Sequence, residues 1–443
     1  MGVPGAAYGI YGDSDEAFGL DASLRTFVFG LYKPDLEFTD TDDDDRYDGL
    51  STLLLRVVAA GRPTDTLKYE AHWLTSSVLS AATAGGGGMS LFGATADDSL
   101  RLRYRALDTR SVLTDEADVS TVANLERLNF SLYLPFADVI LGRQAISFGK
   151  AYLWNPLDVF RPFDPTAFDR DYKTGVDALS IEMPLGDESS LTFVGSVSHE
   201  DANRGQSMWY GASALGRLET TLGSWDAAAQ GGKVFGGYQV GGALSGEVGS
   251  LAIRFEASHF EPMGGDRFLR HQSIVVGTGH TFESGLQLEA EYFYNGGANA
   301  FADDALAATL DGAVAGLVAQ ASADPESFCT QFASQVPAGV DCLSLVSDPD
   351  AVALLAAGIS AAADELNADQ RARLTGFMQG VLDGRLYHTS VHLAGGVVRH
   401  EITPLLNGSL AGIVSLSDGS FTLQPGLVYS AAGEVDVIAG ALL

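Results

Sequence analysis

Ionisable residues recur two positions apart along this chain, and that spacing decides what chemistry they can do. Arg101, Arg103 and Arg105 alternate with Leu100, Leu102 and Tyr104, and Lys68, Glu70 and His72 alternate with Leu67, Tyr69, Ala71 and Trp73. Arg254 and Glu256 stand between Ile253, Phe255 and Ala257, and Glu289 and Glu291 between Leu288, Ala290 and Tyr292. A period of two puts the charged set on one face of a strand and the apolar set on the other. Three guanidinium groups in a row repel one another unless water or carboxylates reach them, so this face demands a wet surface. Arg56, Arg127, Arg143, His388 and His392 are further candidates for it. Along a pore, mixed charges orient polar solutes and tune ion selectivity. The same residues read equally as ion pairs bracing an interior.

Catalysis and metal chemistry find less support. His388 and His392 have the spacing of a helical zinc pair, but on a strand they stand about 13 Å apart, too far to share an ion. The acidic run Asp40 to Asp48 supplies oxygen ligands without the regular spacing and fixed Gly of a calcium loop, and reads as a solvated hairpin loop. No HExxH, GxSxG, Walker A or GxGxxG signature stands in a fitting context. Neither an enzyme, nor a cofactor, nor a resident metal is expected.

The segment 150–174, KAYLWNPLDVFRPFDPTAFDRDYKT, is too long and irregular for a hairpin turn. Its aromatic residues and prolines make a stiff loop that either folds into a lumen and narrows it or caps one end. Constriction is the expectation, with Lys150, Trp154, Asn155, Asp158, Arg161 and Arg170 as the residues that would meet a solute.

The elements positioning these side chains are strands of about eleven residues separated by turn chemistry such as Gly61-Arg62-Pro63, matching the roughly nine to eleven tilted residues that cross a hydrocarbon layer. Tyr69, Trp73, Tyr292, Tyr294, Phe421 and Tyr429 lie on oily faces near segment ends, where amphipathic rings sit at headgroup level. The pattern predicts an all-β fold, a closed antiparallel transmembrane β-barrel of about 16–18 strands with a helical insert at one rim. The strand list includes 98–108 and 386–399. Counted this way, the long connections 33–49 and 77–97 fall on one rim while 150–174 and the insert fall on the other. Residues 1–296 hold an extension at 1–18 and the first barrel strands, 297–385 the helical insert, and 386–443 the last strands. Cys329 and Cys342 sit within the insert at a spacing that suits a local disulfide.

Composition narrows the partners. A formal net charge of -31 over 443 residues, with 26 Lys+Arg, disfavours nucleic acid, whose phosphates need a basic surplus. With 46% hydrophobic and 9% aromatic residues, wholesale disorder is excluded. No apolar run reaches the length of a membrane-spanning helix. The first residues lack the charged and apolar regions of a signal peptide, so the expectation is a mature chain.

The run Leu141-Gly142-Arg143-Gln144-Ala145-Ile146-Ser147-Phe148-Gly149-Lys150, followed by Trp154-Asn155-Pro156-Leu157-Asp158, resembles a stretch of Gram-negative outer-membrane barrels, the porins and alginate-export channels. Glu291-Tyr292-Phe293-Tyr294-Asn295-Gly296 is similar to a strand end of the same group. Phe148 stands where that pattern has Trp, and the chain stops at Leu443 where the group has a terminal aromatic. The resemblance is sharp over about 137–178 and implies Arg143 and Gln144 on a barrel strand, with Trp154 to Asp158 in the adjoining loop. It implies a bacterial outer-membrane channel for passive diffusion of small hydrophilic solutes, in contact with outer-membrane lipid. Two alternatives stand beside it: a sheath or export scaffold whose lumen holds a partner protein or polymer, and a receptor acting through the insert with a partner at the rim.

Overall fold

The structure, a computed structural model, describes residues 8–12, 17–32, 47–80, 102–116, 119–163, 172–203, 206–263, 270–301, 390–417, 419–432 and 435–441. The helical insert with Cys329 and Cys342, His388, Arg101, Arg170 and most of the acidic run lie outside the described residues.

Nineteen antiparallel strands form one sheet. The first nine are β1 (Tyr8–Gly12), β2 (Gly19–Tyr32), β3 (Tyr47–Thr64), β4 (Leu67–Ser80), β5 (Ser111–Glu116), β6 (Val119–Leu134), β7 (Ala137–Gln144), β8 (Val176–Pro184) and β9 (Ser189–Ser196). The others are β10 (Ser213–Leu222), β11 (Trp225–Val234), β12 (Gly237–Val248), β13 (Leu251–Pro262), β14 (His271–Thr281), β15 (Gln287–Asn295), β16 (His392–Thr403), β17 (Leu406–Ser415), β18 (Phe421–Ala432) and β19 (Val435–Gly440). Each strand pairs with the next in sequence except around β5. There β4 pairs directly with β6, and β5 runs beside Val119–Ala123 on the flank of β6 that carries β7 lower down. The wall is therefore eighteen strands from β1 to β19. Among the described residues each of these two outer strands pairs on one side.

The faces of this sheet are inverted relative to a soluble protein. On β13, Leu251 and Phe255 are exposed while Glu256 and Ser258 are buried; on β15, Leu288 and Tyr292 are exposed while Glu291 and Asn295 are buried. Leu128, Phe130 and Leu132 of β6, Leu141 of β7, Leu179 of β8, Phe193 of β9 and Val276 of β14 continue the exposed apolar belt. Asn129, Ser131, Thr192, Arg217, Gln230 and Gln239 continue the buried polar surface. Water normally drives apolar groups inward and holds charges outward, so a belt this continuous marks contact with an apolar medium.

Strand direction separates two rims. The connections 13–18, 65–66, 135–136, 185–188, 223–224, 249–250, 282–286, 404–405 and 433–434 all fall on one rim and are short. Nearly every long connection, 33–46, 81–110, 145–175, 197–212, 263–270 and 296–391, falls on the other. The strand expected over 98–108 is absent from its described part: residues 102–104 form a turn, with Tyr104 at φ 58. Removing that false strand reverses the direction of everything before it, so all the long connections gather on one rim. The alternation there is real, but it packs Leu102 and Tyr104 against other loops instead of facing lipid.

The wall is uneven in height. Strands β2, β3, β4 and β6 have 14, 18, 14 and 16 residues, while β7, β8 and β9 have 8, 9 and 8. Above the low arc, the segment 102–116 crosses the strand tops and fills the notch.

Candidate functional site

The inner face is polar because alternate residues of each strand are polar, and its most engaged part meets the connection 145–175. This loop runs across the inner face instead of leaving the rim. Glu256 on β13 accepts hydrogen bonds from the amides of Lys150 and Ala151, the latter at 2.8 Å. Glu291 on β15 accepts from Tyr152, from Leu153 at 2.8 Å and from Trp154 at 3.3 Å. Gln239 on β12 donates to the Pro156 carbonyl at 2.9 Å and Gln230 on β11 to the Leu157 carbonyl at 2.8 Å. A loop crossing an interior must satisfy its backbone groups there, and these four side chains do that for 150–157.

Apolar packing holds the same stretch. Trp154 stacks on Phe293 with centroids 5.5 Å apart, within a cluster of Leu153, Val275, Leu393 and Val397. Leu157 packs on Ala228 and Ala243, and Phe160 joins Tyr104, Phe148 and Phe235 in a larger cluster. Burying a side chain of this size contributes about 1.5–3 kcal/mol. The wall is hollowed to receive them. A Cβ at Gly395 of β16 would lie 2.5 Å from Leu153 and 2.7 Å from Trp154, and one at Gly241 of β12 would lie 2.6 Å from Leu157.

The far end of the loop reaches the other side of the sheet. The Tyr172 ring lies under two guanidinium groups, Arg56 of β3 at 4.0 Å and Arg25 of β2 at 5.1 Å from its centroid. Arg399 of β16 sits 5.3 Å from the Tyr152 centroid. Lys173 pairs with Asp158, which also accepts from Ser147 at 3.0 Å. Burial pushes the Lys173 ammonium below the usual lysine range, with Asp158 pulling it back. Contacts at β2 and β3 on one side and at β16 on the other mean that the sheet wraps around the loop.

The charged residues expected to line a wet surface divide into two groups. Those with water access are paired: Arg254 with Glu289 at 2.5 Å, Lys150 with Glu219 at 3.3 Å, and Arg127 with Glu70 at 3.8 Å, while His72, 3.8 Å from the same Glu70, is buried. A bulge between Leu125 and Arg127 of β6 turns Glu126 as well as Arg127 into this region. Lys68 is exposed on the same face.

The second group is dry. Arg105, 2% exposed, donates to Glu126 at 3.4 Å and to the Gly175 carbonyl at 3.1 Å. Its neighbour Arg103 lies 4.8 Å from the Phe235 centroid. Arg143, 4% exposed, grips Asp177 at 2.6 and 2.9 Å, Thr109 at 2.7 Å, and the carbonyls of Leu125 and Leu107 at 2.8 and 2.7 Å. Asp177 also accepts from the Ala106 amide at 2.8 Å. Arg105 and Arg143 thus bind the segment 102–110 to the strand tops and do not face a wet lumen. A guanidinium offers five donors in a fixed fork, which is why Arg serves where several acceptors converge.

Other candidates fall as follows. Asn155 accepts the Asp158 amide on its carbonyl at 2.9 Å, closing a turn beside Trp154. Arg161 occupies the left-handed region at φ 59. His392 sits on the outer face, where its ring meets the Tyr292 hydroxyl at 2.6 Å, so it does not belong to the inner surface. Sequence reasoning missed Arg217, which bonds Gln230 at 2.7 Å and Glu219 at 2.9 Å, and it missed Gln239, Lys173, Asp177, Arg25 and Arg399. Arg217 and Glu219 do alternate with Gly216 and Leu218, a signal open to the same period-two reading.

No family model matches this chain, and no curated protein matches it. Among solved structures it is similar to OccAB4 of Acinetobacter baumannii, with TM-score 0.47 and 9% identity over 97% of this chain and 94% of that one. It is similar to a variant of OccD1 (OprD), with TM-score 0.44 and 10% identity over 98% and 94%. It is also similar to a triple mutant of Rhodopseudomonas blastica porin, with TM-score 0.42 and 6% identity over 93% and 98%. These likenesses are too distant to carry an argument, and the functional reading rests on the geometry above.

Proposed function

We propose that the eighteen-stranded wall closes into a transmembrane barrel of a bacterial outer membrane and passes small hydrophilic solutes by passive diffusion. The observation that carries this is the inversion of its faces, with exposed leucine, phenylalanine and tyrosine outside and buried Arg217, Gln230, Glu256 and Glu291 inside. Lipid is the solvent that rewards such a surface, and a closed barrel is the form in which a sheet satisfies its backbone there. The loop that touches β2, β3 and β16 supports closure. Short connections on one rim and long ones on the other match the two sides of outer-membrane barrels, with the long-loop rim outward. A barrel of this strand number leaves an aqueous channel, and here the loop 145–175 narrows it.

Water-facing pairs at Arg254–Glu289, Lys150–Glu219 and Arg127–Glu70 line the remaining passage beside Lys68. Loops of the chain itself pack against the inner face from β8 to β13, which leaves less room there for a lumen-filling partner. Single-channel recording in planar bilayers tests the reading: discrete conductance steps are expected, and folded protein that never opens a pore overturns it.

A further inference from the structure

Five consecutive amides, Lys150 to Trp154, end on two carboxylates that stand two strands apart on the wall. Glu256 is 0% exposed and Glu291 4% exposed, and the two accept all five amides between them. One oxygen of Glu256 makes no hydrogen bond among the described residues, so its charge rests on the loop amides and on nearby cations. The groups facing the pair are Arg217 and Glu219 of β10, Arg254 of β13, Glu289 of β15, Arg399 of β16, and Lys150 and Tyr152 of the loop. Beside Glu291, Gly395 of β16 leaves the space that Leu153 and Trp154 occupy. The other end of the loop has a different kind of anchor, the Tyr172 ring against the guanidinium groups of Arg25 and Arg56, which stay charged at every pH a protein survives.

We infer that Glu256 and Glu291 are positioning residues that form an acid-releasable latch, holding residues 150–154 of the lumen loop against the β13–β16 wall at neutral pH and letting that stretch come away when they are protonated. The inference rests on the channel reading for its effect on flux but not for the latch itself. Amide bonds to an ionised carboxylate are about twice as strong as bonds to a neutral one, so a proton on Glu256 weakens two of them and a proton on Glu291 the other three. Protonation also leaves Arg217, Arg254 and Lys150 with less opposing charge, and their mutual repulsion then pushes the loop away from the wall. The neutral anchors on either side, Phe148 before the stretch and Gln239 on Pro156, Gln230 on Leu157 and Phe160 after it, carry no proton to gain, so the motion is confined to 150–154. The passage widens where Trp154 leaves Phe293.

The experiment is hydrogen exchange of the 150–154 peptide in the intact protein, corrected for intrinsic rates, alongside single-channel conductance from pH 7.5 to 4. Protection is expected to fall about tenfold or more on acidification while strand peptides stay protected, and conductance to rise over the same interval. Glu256→Gln with Glu291→Gln should show the low protection and high conductance at pH 7.5 and lose the response to acid. Unchanged protection in the native protein across the pH range overturns the latch, and this measurement needs no variant to fold. A native protein whose loop is released by acid but which never conducts leaves the latch standing and refutes the channel.

Discussion

At the residue scale, charge in this protein divides between holding and facing water. Arg143 shows the first use: its guanidinium meets five acceptors and is almost fully covered. Arg143→Ala strands Asp177 and frees the segment 102–110, and breaking a buried pair of this kind costs about 3–5 kcal/mol. Denaturation of the folded protein in detergent should show that loss. Arg254→Ala, at a half-wet pair, should stay within about 1 kcal/mol of the parent by the same measurement. Both arginines lie in period-two strands and look alike in sequence. What separates them is the segment 102–110 lying over one and not the other, a long-range contact that no local pattern encodes.

At the element scale, the loop 145–175 and its sockets act as one unit. Gly395→Leu places a side chain where Leu153 and Trp154 now sit, and overpacking of this kind costs about 1–3 kcal/mol. Trp154 is stacked and buried, so its fluorescence should shift to longer wavelength in that variant. Removing 150–160 should enlarge single-channel conductance severalfold, and an unchanged step size would show that the loop does not bound the passage. The loop was legible in sequence as rigid and aromatic, and its placement followed only from wall residues far away in the chain, Glu256, Glu291 and Gly395. Strand character was legible because alternation is local: β4, β13, β15 and β18 stand where the pattern put them. The segment 98–108 carried the same alternation without being a strand, because Leu102 and Tyr104 found a loop core to fill. One spurious strand was enough to scatter the long connections between both rims.

At the scale of the molecule, the inverted faces predict opposite tolerances. Phe255→Arg, on the outer face at mid-strand, should destabilise the protein in lipid by about 2–4 kcal/mol, read as a lowered midpoint in denaturant titrations of vesicle-inserted protein. Gln424→Arg, whose neighbours on β17 and β18 suggest the inner face, should be nearly neutral by that measurement. Equal losses at both positions would remove the assignment of inside and outside.

The uneven wall gives its long-loop rim two different sectors. Strand β3 exceeds β7 by ten residues, 18 against 8, which is roughly 30 Å along the strand. The tall arc of β2–β4 carries Arg25, Arg56, Lys68 and Glu70 on its inner side, and the low arc of β7–β9, separated from it by β6 alone, is topped by the segment 102–116. The rim is thus made of two materials side by side, a charged palisade of strand that keeps its own height and a stretch whose height is lent by loop, so cutting 102–116 away would lower the wall at β7–β9 and leave β2–β4 standing.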